Sequence, residues 1–181
     1  MLNDLEKVLV TKEKIDEKTA ELAARISKDY AGKKLMLVGV LKGGFVFLAD
    51  LMRKIDIQCE VDFMMVSSYG SSTKTSGTVK IIKDIDTDIS GKDILIVEDL
   101  IDTGLTLKHL LELLKTRNPS SLKICAILDK PSRRLVDIDI AYSGIDIPDE
   151  FVVGYGLDYA NKYRHLKDVC TLKPEIYKKR Y

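Results

Sequence analysis

Three runs, Leu35 to Leu41, Ile94 to Val97 and Leu122 to Leu128, are almost unbroken in apolar and β-branched residues. Runs of that length and composition suit strands covered on both faces, as parallel strands are. The first two lead through glycine-bearing turns into helical patterns: Phe45, Leu48, Leu51, Met52 and Ile55 form one apolar stripe, and Leu107, Leu110, Leu111 and Leu114 another. Alternation of strand and helix predicts an α/β fold, with a central, mostly parallel sheet flanked by helices.

The rest of the chain fits around that sheet. Thr11 is placed to cap a helix whose face is Ile15, Thr19, Leu22, Ala23, Ile26 and Tyr30 and which stops near Gly32. Ile57, Cys59, Val61, Phe63 and Met65 alternate with more polar residues, as in a half-buried strand. Ser67 to Gly77, rich in Ser, Thr and Gly between two strands, reads as a long mobile loop. Beyond Pro131 come short strand patterns at Val136 to Tyr142, Phe151 to Tyr155 and Val169 to Leu172, which suggest a small lobe beside the sheet. One domain over residues 1–181 is expected, with its core at roughly 10–130 and the lobe largely at 131–181.

Bulk properties narrow the partners. The 181 residues are 45% hydrophobic and 31% charged, with a net charge of +1, so no global field draws nucleic acid or an anionic membrane. Cys59, Cys125 and Cys170 are odd in number and far apart, His109 and His165 have no obvious partners, and no Cys-x-x-Cys occurs. These features predict core thiols rather than a zinc site or disulfide framework. Acids stand near the N-terminus where a signal peptide needs an apolar stretch, and a cytoplasmic protein is expected.

The chemistry concentrates after Val97. Glu98 and Asp99 offer paired acceptors for vicinal ribose hydroxyls or, through water, a hard cation. Thr103, Gly104 and Thr106 open a helix, where unpaired N–H groups and the dipole favour an anion such as phosphate. Asp102 is left as a candidate base. Neither a Walker loop nor Gly-x-Gly-x-x-Gly is present. Lys42-Gly43-Gly44 makes a second strand-to-helix corner, although turns of that kind also serve as plain connectors.

The sequence from Glu98 to Thr106, two acids, two apolar residues, then Asp-Thr-Gly-x-Thr, resembles the signature of the type I phosphoribosyltransferases. Leu41 to Gly44 resembles that family's pyrophosphate loop, and Ser67 to Gly70 its closing loop. The segment from Asp146 through Phe151 to Asp158 and Arg164 is similar to the hypoxanthine-guanine branch. The resemblance implies the type I fold, with the small lobe as a hood over the base. It implies that Glu98, Asp99, Asp102, Thr103, Gly104, Leu105 and Thr106 bind the ribose and 5-phosphate, and that Lys42, Gly43 and Arg164 meet pyrophosphate. Lys130, Phe151, Val152 and Asp158 would bind the purine, Ser68 and Tyr69 would belong to the lid, and Glu98, Asp99 and Asp158 would attend Mg2+. Leu105 departs from relatives that carry Lys inside this turn, so backbone groups and Thr must do more of the phosphate binding.

The implied reaction is transfer of 5-phosphoribosyl from 5-phosphoribosyl-1-pyrophosphate to hypoxanthine or guanine, with inversion, Asp102 as general base and Lys130 selecting six-oxo purines. The implied assembly is a homodimer or homotetramer. Two alternatives stand beside it: a xanthine-preferring relative, and a nucleotide-sensing RNA-binding or transcriptional regulator on the same fold.

Overall fold

The computed structural model describes residues 2–68 and 79–177. Its elements run β1 (Leu5–Val10), α1 (Lys12–Asp29), β2 (Leu35–Leu41), α2 (Phe45–Met52), β3 (Cys59–Ser68), β4 (Val79–Lys83), β5 (Asp93–Ile101), α3 (Leu105–Lys115), β6 (Ser121–Asp129), β7 (Tyr142–Asp146), β8 (Val152–Val153), β9 (Val169–Leu172) and the short α4 (Pro174–Tyr177).

The main sheet has the order β4-β3-β2-β5-β6-β7 and is parallel except for β4. Its strands are apolar on both faces, as their composition requires. Leu35 and Leu37 of β2 join the core shared with α1 and α2, whereas Met36, Val38 and Val40 join the core under α3. Thr11 caps α1 by accepting from the Lys14 N–H at 3.3 Å. From β2 the sheet grows one way to β3 and from β5 the other way to β6. The carboxyl ends of β2 and β5 therefore meet at the point where strand order reverses, the usual ligand position in an open α/β sheet.

A second, antiparallel sheet, β1-β9-β8, forms the hood. β1 was not legible in the sequence, because its mixed residues Leu5-Glu6-Lys7-Val8 lie at an edge and bury little. The hood thus takes its edge strand from the N-terminus, while β7, from beyond residue 131, belongs to the main sheet. The strand expected at Val136 to Tyr142 instead starts at Tyr142. Val136 and Ile138 pack against Gly104, so their alternation covers the start of α3 rather than forming a ladder. On α2 the buried residues are Phe47, Leu48 and Leu51, whereas Phe45 and Met52 of the expected stripe are exposed. On β3 Met64 is buried and Val61 is exposed. Cys125 and Cys170 are buried and Cys59 is partly buried, all as free thiols. No described helix is long and apolar enough to cross a membrane.

Candidate active site

β2 and β5 pair in register as far as Gly39 opposite Val97, which brings the turn after Leu41 level with Asp99. The Leu41–Lys42 peptide is cis. A Cβ on Gly43 would stand 1.7 Å from Asp99 Oδ2, so only glycine lets this backbone lie against the carboxylate. From the other side the hood closes on the same turn: a Cβ on Gly156 would lie 2.3 Å from the Gly43 carbonyl oxygen. The turn after β2, Asp99 of β5 and the hood are thereby brought together.

β5 is longer than the apolar run that announces it. Glu98 and Asp99 are strand residues and not part of the turn. Burial pushes the Glu98 carboxyl well above the usual range, and the adjacent Asp99 charge adds to the effect. Burial likewise pushes Asp99 up to about 6, although its carboxylate accepts from the Leu100 N–H at 2.8 Å. Arg164 opposes that rise and Asp158 reinforces it. Both neighbouring carboxyls are thus held toward their neutral forms, chiefly by burial.

Past Ile101 the chain turns through Asp102, Thr103 and Gly104, which has φ +81°, into α3. The turn borders a cavity of about 260 Å3 whose wall includes Glu98, Leu100, Asp102, Thr103, Gly104 and Thr106. Three successive carbonyls of this turn are bonded by one neighbouring segment. Ile101 accepts from the Lys130 N–H at 3.0 Å, Asp102 from Arg134 Nη1 at 2.9 Å, and Thr103 from the Leu135 N–H at 3.0 Å. The register that pairs Ile101 with Asp129 puts Asp102 and Lys130 level, each one residue past the end of adjacent strands. The Asp102 side chain accepts from Arg133 Nε at 3.0 Å and remains partly open to solvent.

The residues expected at the base converge on the hood edge. Lys130 is only 6% exposed, and its Nζ donates to the Glu150 carbonyl at 2.7 Å, which leaves further ammonium donors available. Phe151 is 41% exposed, with Tyr177 stacked on it at 5.2 Å and Tyr159 edge-on at 5.7 Å. The ring is held by two aromatic neighbours yet open to solvent, and does not belong to the core. Val152 is buried in β8, paired with Thr171. Asp158 and Arg164 form an ion pair at 2.6 Å. Arg164 also donates to the Gly156 carbonyl at 2.6 Å, and Asp158 accepts from the Asn161 N–H at 2.8 Å. Lys42 lies in the turn beside Gly43. Ser68 closes β3, and Tyr69 lies outside the described residues, as does most of the Ser67 to Gly77 loop.

Sequence reasoning did not single out Arg133, Arg134, Asp129, Asp149 or Tyr177. A signal was present in Asp129-Lys130-Pro131-Ser132-Arg133-Arg134, a charged cluster at the carboxyl end of a buried strand. Its importance depends on β6 lying next to β5, which composition alone does not reveal.

Residues 9–160 match the Phosphoribosyl transferase domain family. The chain is 54% identical over 177 residues to a hypoxanthine-guanine phosphoribosyltransferase of Streptococcus agalactiae, covering 98% of each chain. It is 52% identical over 177 residues to the Bacillus subtilis protein of that name, again with 98% of each covered. Its fold superposes on the crystal structure of a hypoxanthine phosphoribosyltransferase from Staphylococcus aureus with a TM-score of 0.95 at 52% identity, covering 98% of this chain and 96% of that one. With the strand-end acids, the Asp-Thr-Gly-x-Thr turn and the hood assembled around one cleft, the chain belongs to the phosphoribosyltransferase family.

Proposed function

We propose that this enzyme transfers the 5-phosphoribosyl group of 5-phosphoribosyl-1-pyrophosphate to a ring nitrogen of hypoxanthine or guanine, giving IMP or GMP and pyrophosphate. The observation that carries this reading is the meeting of three parts at one switch point: the acid pair at the end of β5, the turn Asp102 to Thr106, and the hood edge with Lys130 and Phe151. Glu98 and Asp99 face the ribose hydroxyls, and the turn from Asp102 through Thr103, Gly104 and Leu105 to Thr106 receives the 5-phosphate. Lys42, Gly43 and Arg164 receive the leaving pyrophosphate.

The purine stacks on Phe151, with backbone groups at Val152 reading its edge. Lys130 donates to the six-position oxygen; an adenine amino group there would oppose donor to donor, at a cost of roughly 1–3 kcal/mol. As the bond from the anomeric carbon to pyrophosphate oxygen breaks and the new bond to nitrogen forms, the purine loses its position-seven proton to the Asp102 carboxylate. Binding both reactants in one cleft provides much of the rate, because the oxocarbenium-like transition state needs positioning more than covalent help.

Among the described residues no group of three or more His, Cys, Asp or Glu could by itself hold a metal ion. The acid pair, whose carboxyls burial pushes up, nevertheless fits a hard cation that shares its shell with water and phosphate oxygens. Glu98, Asp99 and Asp158 would attend it. When bound, Mg2+ supplies positive charge against the leaving pyrophosphate. Free thiols at all three cysteines suit the reducing cytoplasm. Exposed Phe45 and Met52, on α2, suit a homodimer or homotetramer.

The test is nucleotide formation from the donor and Mg2+ with hypoxanthine, guanine, xanthine or adenine, alongside Asp102→Asn and a metal-free control. Turnover of hypoxanthine and guanine but not adenine is expected. Preference for xanthine would reassign the base, and no turnover on any base would overturn the reading.

A further inference from the structure

We propose that Arg134, which is absent from the cavity wall, is the positioning residue that holds the phosphate turn in its binding conformation. The proposal rests on the phosphoribosyl-transfer reading and concerns how that site is built.

Of the three carbonyls bonded by the 130–135 segment, the two outer ones accept from backbone N–H groups, a pairing any residue but proline could make. The middle carbonyl, that of Asp102, accepts from a side chain, Arg134 Nη1, at 2.9 Å. Among these three carbonyls, this bond alone depends on the identity of the donating residue. A trans peptide points its C=O and the following N–H in opposite directions. Holding the Asp102 carbonyl toward Arg134 therefore turns the Thr103 N–H away from Arg134, at a position where Asp102, Thr103 and Gly104 all border the cavity. If the carbonyl is freed, that peptide plane can rotate and the N–H leaves the phosphate.

Arg134 is itself well held. Its Nη2 pairs with Asp129 Oδ1, and both side chains are largely buried, at 18% and 9% exposed. Asp129 closes β6 as the register partner of Ile101. The Arg134 stem also lies against the back of Gly104, where a Cβ would come within 3.2 Å of its Cδ. One guanidinium thus links the last residue of β6 to the middle peptide of the phosphate turn. A planar fork can hold two acceptors at fixed angles, whereas a lysine ammonium cannot reproduce that geometry. The turn carries Leu105 and no cation of its own, so its affinity for phosphate depends on where its N–H groups point.

The experiment compares the parent with Arg134→Met, Arg134→Lys and the double variant Arg134→Met/Asp129→Asn. The double variant removes the carboxylate that Arg134→Met would leave buried and unpaired. Calorimetry gives the Kd of 5-phosphoribosyl-1-pyrophosphate with Mg2+, and steady-state kinetics gives the hypoxanthine KM at saturating donor. Thermal unfolding reports folding.

Arg134→Met is expected to weaken donor binding about tenfold or more, with the hypoxanthine KM within about twofold of the parent. The double variant should regain thermal stability without regaining donor affinity, and Arg134→Lys should fall between it and the parent. Parental donor affinity in the folded double variant, or in Arg134→Lys if the double variant does not fold, would overturn the proposal. So would donor Kd and purine KM rising together. If the parent binds the donor and makes nucleotide while the variants match it, only the role of Arg134 falls. If the parent neither binds nor turns over, the phosphoribosyl-transfer reading falls and takes the proposal with it.

Discussion

Asp99 shows how one residue can oppose stability at a position where the proposed reaction needs it. Its carboxyl is 8% exposed and holds its proton up to about pH 6, whereas in the unfolded chain it would ionise near 4. Between those values the folded state binds more protons than the unfolded state, so stability falls as pH rises through the window and stays lower above it. Asp99→Asn should raise the stability of ligand-free protein at pH 7.5 by up to about 3 kcal/mol and have little effect near pH 4, read from urea midpoints at both pH values. An equal gain at both would show that burial of the charge is not the cause. Asp102 differs, being partly open and paired with Arg133. Asp102→Asn should lower kcat by about 10²–10⁴ while donor Kd changes by less than about threefold, since the turn's backbone is untouched. The motif spacing identified both acids, but their difference comes from depth: one lies on the buried strand and the other just beyond it.

At the level of elements, two close approaches hold the site together, and each can be tested. Gly43→Ala would push a methyl into Asp99 and force the β2–α2 turn off β5. A loss of about 1–3 kcal/mol in denaturation, with weaker donor binding, is expected. A variant with parental stability and kinetics would mean that the turn yields freely. In the proposed reaction the hood has a separate task, and Phe151→Ala should raise the hypoxanthine KM about tenfold or more and leave donor Kd unchanged, because stacking on this ring involves no group of the Asp102 to Thr106 turn. The buried strands and α1 were legible because their periodicity is local. β1 and the stretch before β7 were not: β1 finds its strand partner in the distant β9, and Val136 and Ile138 pack against Gly104 instead of pairing.

On the scale of the whole molecule, the proposed reaction has donor and Mg2+ bridging β2, β5 and the hood, so binding should stabilise the fold as a unit. At a donor concentration near 100 times Kd, about 2.7 kcal/mol is gained, which for a chain of this size shifts Tm upward by roughly 5–10 °C. Glu98→Gln/Asp99→Asn should lose most of that shift when scanned beside the parent, and an undiminished shift would remove the acid pair from the donor site. The sequence by itself determined the strand-helix alternation, the mostly parallel sheet, and a motif of acids, threonines and glycine that marks the phosphoribosyltransferase family. These are properties of neighbours along the chain, where composition and spacing suffice. Only the tertiary structure decided that β6 lies beside β5 and so delivers Lys130, Arg133 and Arg134 to Asp102. It also decided that the N-terminus supplies the hood's edge strand, and that burial raises the two acids' affinity for protons. Each of these depends on segments far apart in the chain coming into register, where hydrogen bonds and desolvation act through space.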